Sequence, residues 1–103
     1  MKIYLSGPIA GVPGYYERFD AGARAIRRLG HTPVNPARHP EGLTVREYMR
    51  MDLMDLMASD AVLMLPGWEN SRGAVVERAL AQYLGMEIWY KPEDVPNESE
   101  AEF

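Results

Sequence analysis

Two carboxylates in this chain stand where packing alone disfavours a charge. One is Asp52, in the stretch "TVREYMRMDLMDLMAS"; the other is Glu77, in "SRGAVVERALAQYLG". Both stretches read as helices, and a helix advances about 100° per residue. On that wheel Asp52 lies about 20° from Val45 and about 40° from Leu56, inside an apolar stripe of Val45, Met49, Leu53 and Leu56. Glu77 lies about 20° from Leu84, beside Leu80 and Ala81, in an apolar face of Val76, Leu80, Tyr83 and Leu84. Asp55 falls farther round and reads as a boundary charge. Each helix therefore aims one carboxylate inward. A partly buried, unpaired carboxylate costs several kcal/mol or has its pKa raised, against a folding stability of about 5–15 kcal/mol. Two carboxyls in environments that set their pKa values apart suit a nucleophile working beside an acid. The plainer alternative pairs each with an arginine at a helix edge, such as Arg50 or Arg72.

The elements around these acids alternate. "KIYLS" at 2–6 predicts a short buried strand. Residues 15–29 predict a helix with Phe19, Ala23 and Ile26 on one face, opposite Arg24, Arg27 and Arg28, closed by Gly30. "TPVNP" at 32–36 predicts a second strand. Thr44 with Glu47 forms a capping box for the helix carrying Asp52, running to about residue 59. "DAVLMLP" at 60–66 predicts a strand buried on both faces. Ser71 is a suitable N-cap for the helix carrying Glu77, and "MEIWY" at 86–90 predicts a fourth strand. Strands separated by helices pair in parallel with right-handed crossovers. The expected fold is an α/β three-layer sandwich with a flavodoxin-like parallel sheet of four strands, in order 2-1-3-4. One domain is expected over 1–90, with an acidic, flexible tail over 91–103.

In such a sheet ligands bind beyond the C-terminal strand ends, between the first and third strands. The loops there are "GPIAGVPG" and "PGWENSRG", the richest in Gly and Pro. Glycine lets backbone amides approach a ligand, and a helix N-terminus favours anions. Ser6, Gly7, Pro8 and Gly11 in the first loop are thus candidate substrate contacts, with Trp68, Ser71, Arg72 and Gly73 in the second. Trp68 or Tyr15 could stack on a base. Tyr4, near the end of the first strand, borders the same place. His31 and His39 read as structural, and Met49, Met51, Met54 and Met57 as core and interface filler. No metal-site spacing is present, and neither G-x-G-x-x-G nor G-K-[ST] follows the first strand. No cofactor is expected.

Composition narrows the classes further. The chain has 103 residues, no cysteine and a net charge of -4. The stretch from Lys91 onward holds five acids and one base, so residues 1–90 balance at ten of each. A neutral body without a lysine cluster argues against a nucleic-acid polymer as partner. The apolar runs are too short to span a membrane, and the N-terminus lacks a signal-peptide pattern, which makes a cytoplasmic protein the expectation.

"IYLSGPIAG" and "YMRMDLMDLMASDAVLMLPGWENSRGAVVERALAQYLG" together resemble the nucleoside 2-deoxyribosyltransferase-like superfamily, and within it the small DUF4406-type branch. The resemblance covers residues 2–90. It implies that Glu77 is a glycosyl-accepting nucleophile, that Asp52 and not Asp60 is the second carboxylate, and that Tyr4 orients the nucleophile. It also implies that Ser71 takes the place of a serine that meets the 5'-phosphate in the deoxynucleotide N-glycosidases. Pro8 and Ala10 depart from that group, which has Ser and Arg in the first loop. Cleavage of the N-glycosidic bond of a (deoxy)nucleoside or its 5'-monophosphate is the implied activity, by hydrolysis or base exchange, in a homo-oligomer. A nucleotide-binding module without turnover and an interaction protein with arginine-paired acids are the other readings.

Overall fold

The computed structural model describes residues 1–99. Four parallel strands, β1 (Lys2–Ser6), β2 (Thr32–Val34), β3 (Ala61–Met64) and β4 (Glu87–Trp89), form one sheet in the order β2-β1-β3-β4. The helices are α1 (Tyr15–Arg28), α2 (Val45–Met57) and α3 (Arg72–Tyr83). This is the three-layer, flavodoxin-like sandwich expected from the alternation of elements. The chain reverses direction across the sheet after β2, so right-handed crossovers put α1 on one face and α2 with α3 on the other.

Strand side chains alternate between faces, and β1 uses this to separate two jobs. Ile3 and Leu5 point into the core under α1, with Phe19, Ala23, Ile26 and Leu63. Tyr4 and Ser6 point the other way, beneath α2 and α3. Both sets are fully buried, as is all of β3, because helices cover both faces.

The helix ends follow their local chemistry. The Thr44 hydroxyl accepts from Glu47 N at 3.2 Å, and the Glu47 carboxylate accepts from Thr44 N at 2.9 Å. Those bonds hold the Glu47 carboxyl below its usual range. The Ser71 hydroxyl accepts from Ala74 N at 3.2 Å and caps α3.

Two expectations are corrected. Val45 in the α2 stripe is 79% exposed, and in α3 Val76, Tyr83 and Leu84 face solvent. The buried residues of α3 are Ala74, Glu77 and Ala81. Small side chains let the helix press closely on the sheet, so the arc carrying alanines faces inward and the bulky arc faces out. The segment 91–99 also differs from a solvated tail. Val95 is buried in the α1-side core, Glu98 N donates to Leu29 O at 2.7 Å, and His31 meets the Pro96 carbonyl at 2.6 Å. His31 also contacts the N-terminal amine at 3.2 Å, a structural role as its sequence setting suggested. Residues 100–103, which include the last two acids of the chain, lie outside the described residues.

Gly30 makes room for that segment. Its φ is +88°, and a Cβ there would lie 2.5 Å from the Glu98 backbone. Gly30→Ala should lower stability by at least about 1 kcal/mol, the cost of left-handed backbone for a residue with a Cβ, and should loosen residues 95–99. Thermal unfolding with hydrogen exchange at 95–99 checks both effects.

Candidate active site

The site is built from β1 and α3 outward. Tyr4 and Ser6 are two residues apart on one strand and therefore share a face. Glu77 descends from α3 between them. The Tyr4 hydroxyl donates to Glu77 Oε2 at 2.9 Å, and the Ser6 hydroxyl donates to Glu77 Oε1 at 2.6 Å. Tyr4 and Ser6 are wholly shielded from solvent, and Glu77 is 5% exposed. A carboxylate oxygen has two lone pairs, so each keeps one free after accepting these bonds.

Burial pushes the Glu77 carboxyl up to about 7, and the neighbouring Asp52 charge adds to the rise; the bonds from Ser6 and Tyr4 oppose both. Burial, followed by the charges of Glu77 and Asp52, raises the Tyr4 phenol well above its ordinary range, so Tyr4 remains a donor. Asp52 is also buried, and its carboxyl rises to about 6 through desolvation, helped by Asp55 and countered by His39. The arginine pairing considered above is absent for both acids among the described residues. Asp60 lies at the opposite sheet end, accepting from Lys2 N at 2.8 Å.

The other expected site residues divide. Ser6 serves as a donor to Glu77. Gly7 packs so closely on Leu65 that a Cβ would come within 3.0 Å of the Leu65 Cβ. Pro8 lies against Gly67, where a Cβ would be 3.4 Å from the Pro8 ring, and so brings the two loops together. Gly11 has φ +71° with open space beside it. Ser71 caps its own helix, Arg72 is exposed, and Gly73 faces Met49. Trp68 is half-buried and engaged with Tyr90, ring centres 5.9 Å apart, while the Arg78 guanidinium lies 5.1 Å over its ring. Tyr15 stacks on Tyr16. An open groove lined by Gly22, Leu65, Pro66 and Tyr90 lies toward α1 and includes none of Tyr4, Asp52 or Glu77. Tyr4, Ser6 and Glu77 meet on the other face of the sheet, beneath α2 and α3, and the candidate site lies there. Among the described residues no His, Cys, Asp and Glu group has the arrangement of a metal site.

Sequence reasoning read His39 as structural and did not foresee its two acidic partners. Its Nε2 lies 3.2 Å from Asp52 Oδ1 and 3.2 Å from Asp55 Oδ2. The available signal was topological: the loop after β2 opens at the same sheet edge as the two glycine-rich loops.

The DUF4406 family model, a domain of unknown function, matches residues 1–90. The chain belongs to this family. No curated protein matches it in sequence. Among solved structures it is similar to a 2-deoxyribosyltransferase from the psychrotolerant bacterium Bacillus psychrosaccharolyticus, with 17% identity and a TM-score of 0.71 over 99% of this chain and 95% of that one. A 2-desoxiribosyltransferase from Leishmania mexicana is similar at 17% identity and a TM-score of 0.67, over 84% of this chain and 61% of that one. At that identity, the likeness shows that this DUF4406 chain shares their fold.

A carboxyl raised by burial binds its proton more tightly in the folded state than in the unfolded one. Stability therefore falls as pH climbs from the ordinary 4.5 of Glu77 to its folded value of about 7. Glu77→Gln keeps the shape without the charge. It should melt above the native protein at about pH 8, by on the order of 3 kcal/mol, with the gap closing toward about pH 5. A lower melting temperature at both pH values would instead mark Glu77 as a stabilising charge.

Proposed function

We propose that this protein cleaves the N-glycosidic bond of a (deoxy)nucleoside or its 5'-monophosphate, with Glu77 as nucleophile. The observation that carries the reading is a buried carboxylate held on both oxygens by hydroxyl donors, beside a second buried carboxylate, in the fold shared with deoxyribosyltransferases. Ionised Glu77 attacks the anomeric carbon as the bond to the base breaks, through an oxocarbenium-like transition state. Asp52 protonates the departing base. The glycosyl ester then passes its sugar to water or to a second base. Tyr4 and Ser6 fix the direction of the attacking oxygen and remain protonated themselves.

The two loops at the C-terminal strand ends bind the substrate in this reading. Gly7, Pro8 and Gly11 form one wall and Trp68 to Gly73 the other. Ser71 and Arg72 at the start of α3 meet the 5' end of the sugar. The oligomer forms through the outer face of α2 and α3, where Met54, Met57, Val76, Tyr83 and Leu84 are exposed. Among the described residues no helix is long and apolar enough to cross a membrane.

Incubation with nucleosides and their 5'-monophosphates side by side should release free base. Glu77→Ala should reduce release by at least about a thousandfold, and Asp52→Asn by about a hundredfold or more. A compound that raises the melting temperature without being consumed, with no base released from any substrate, would overturn catalysis in favour of binding.

The reactive arrangement, Glu77 ionised and Asp52 protonated, is the minor form of the singly protonated pair, because Glu77 holds its proton more tightly than Asp52. The rate should therefore be bell-shaped, with its maximum between about 6 and about 7, where the pair holds one proton. A pH–rate profile for base release measures both limbs.

A further inference from the structure

We propose that His39, held between Asp52 and Asp55, positions Asp52 and acts as the relay that returns a proton to it after each transfer to the leaving base. The step it serves rests on the N-glycosidic reading above. The geometry supporting it stands independently.

His39 follows a short 3-10 turn (Pro36–Arg38) and is anchored on both sides. Before it, Asn35 Oδ1 accepts from Ala37 N at 3.0 Å, and Asn35 Nδ2 donates to Asp20 at 3.3 Å. After it, the Tyr48 hydroxyl donates to the Pro40 carbonyl at 2.8 Å. The loop is thus held from α1 and α2, and the imidazole is set over α2. Asp52 and Asp55, three residues apart, share that helix face, and Nε2 lies 3.2 Å from one oxygen of each.

These contacts are not ordinary structural bonds. His39 Nε2 and Asp52 Oδ1 are shut from solvent, yet neither has an aligned hydrogen-bond partner. A buried polar group left this way costs about 1–3 kcal/mol. Such a cost is accounted for when the atoms exchange a proton in use. The charged surroundings leave few other partners. Asp52 and Asp55 face His39 from α2. Glu77 and Tyr4, from α3 and β1, feel the charge of Asp52. Arg38 is turned to Asp20 at 3.2 Å, and Glu41 accepts from Tyr16 at 3.1 Å. His39 is therefore the one basic side chain paired with either carboxylate among the described residues.

The proton accounting closes. The bond from the anomeric carbon to the base breaks with its electron pair on the base, and the Asp52 proton goes to that base. The imidazolium of His39 passes its Nε2 proton to Asp52. When water attacks the glycosyl ester, its hydroxyl stays on the sugar, Glu77 regains its charge, and the released proton restores the imidazolium. The sum is substrate plus water giving free sugar and protonated base.

Two measurements test this, using whichever of His39→Gln and His39→Asn melts cooperatively. The first follows the Asp52 carboxyl carbon by NMR titration, which needs no substrate. Its midpoint should be about 6 in the native protein and should rise in the variant, because the charge of His39 lowers it. An unmoved midpoint overturns the coupling. The second compares release of an ordinary purine with release of an N7-methylated purine, which departs as a neutral ring without taking up a proton. The variant should slow the ordinary base about tenfold more than the methylated one. Equal slowing reduces His39 to a structural role and overturns the relay. If the native protein releases neither base, the reaction assignment fails, while the titration still decides whether His39 acts on Asp52.

Discussion

The bond pair from Tyr4 and Ser6 to Glu77 is the constraint on which the rest of the molecule depends. A buried carboxylate is tolerable only when its oxygens are satisfied, and here both donors come from one face of one strand. That requires α3 to lie close over the end of β1. Ala74 and Ala81, one turn before and after Glu77 on the same arc, permit the approach. The bulky residues of the helix, Val76, Tyr83 and Leu84, are displaced outward as a consequence. Stability is thus lower than an apolar residue at 77 would give, and the loss is concentrated at the end of the sheet where ligands bind in this class of fold.

Around this centre the electrostatics are consistently acidic. Glu77 feels the charge of Asp52, and Asp52 and Asp55 share His39 as their basic partner among the described residues. Without an arginine to neutralise them, Asp52 and Glu77 titrate near neutrality, at about 6 and about 7. Proton affinity near working pH is what general acid and nucleophile chemistry needs, and it follows from desolvation more than from any single neighbour. The likeness of fold to deoxyribosyltransferases, at 17% identity, places no residue by itself. The named side chains carry the functional proposal, and the fold supplies the edge on which they meet.

Local chemistry explains why the elements were readable. The Thr44–Glu47 box and the Ser71 cap act within one turn and need no tertiary context. The unbroken apolar run of β3 requires cover on both faces, which fixes a parallel sheet with helices on each side. The inward acids were also detectable, since both broke a helical pattern. The faces themselves were not. A hydrophobic wheel relates residues on one helix to each other, yet it does not say which arc meets the sheet when a small-residue arc competes with a bulky one.

Element order, strand burial, the caps and the anomaly of Asp52 and Glu77 were therefore determined by the amino-acid sequence alone, because each rests on neighbours within a few residues or on a simple period. Tertiary structure decided the partners. Ser6 became a donor to a residue 71 positions away, His39 met Asp52 and Asp55 across a loop, and Val95 left an acidic segment for the core. Such contacts depend on loop paths and on how closely layers pack, and those are set by the sum of all burial in the fold, which no local pattern records.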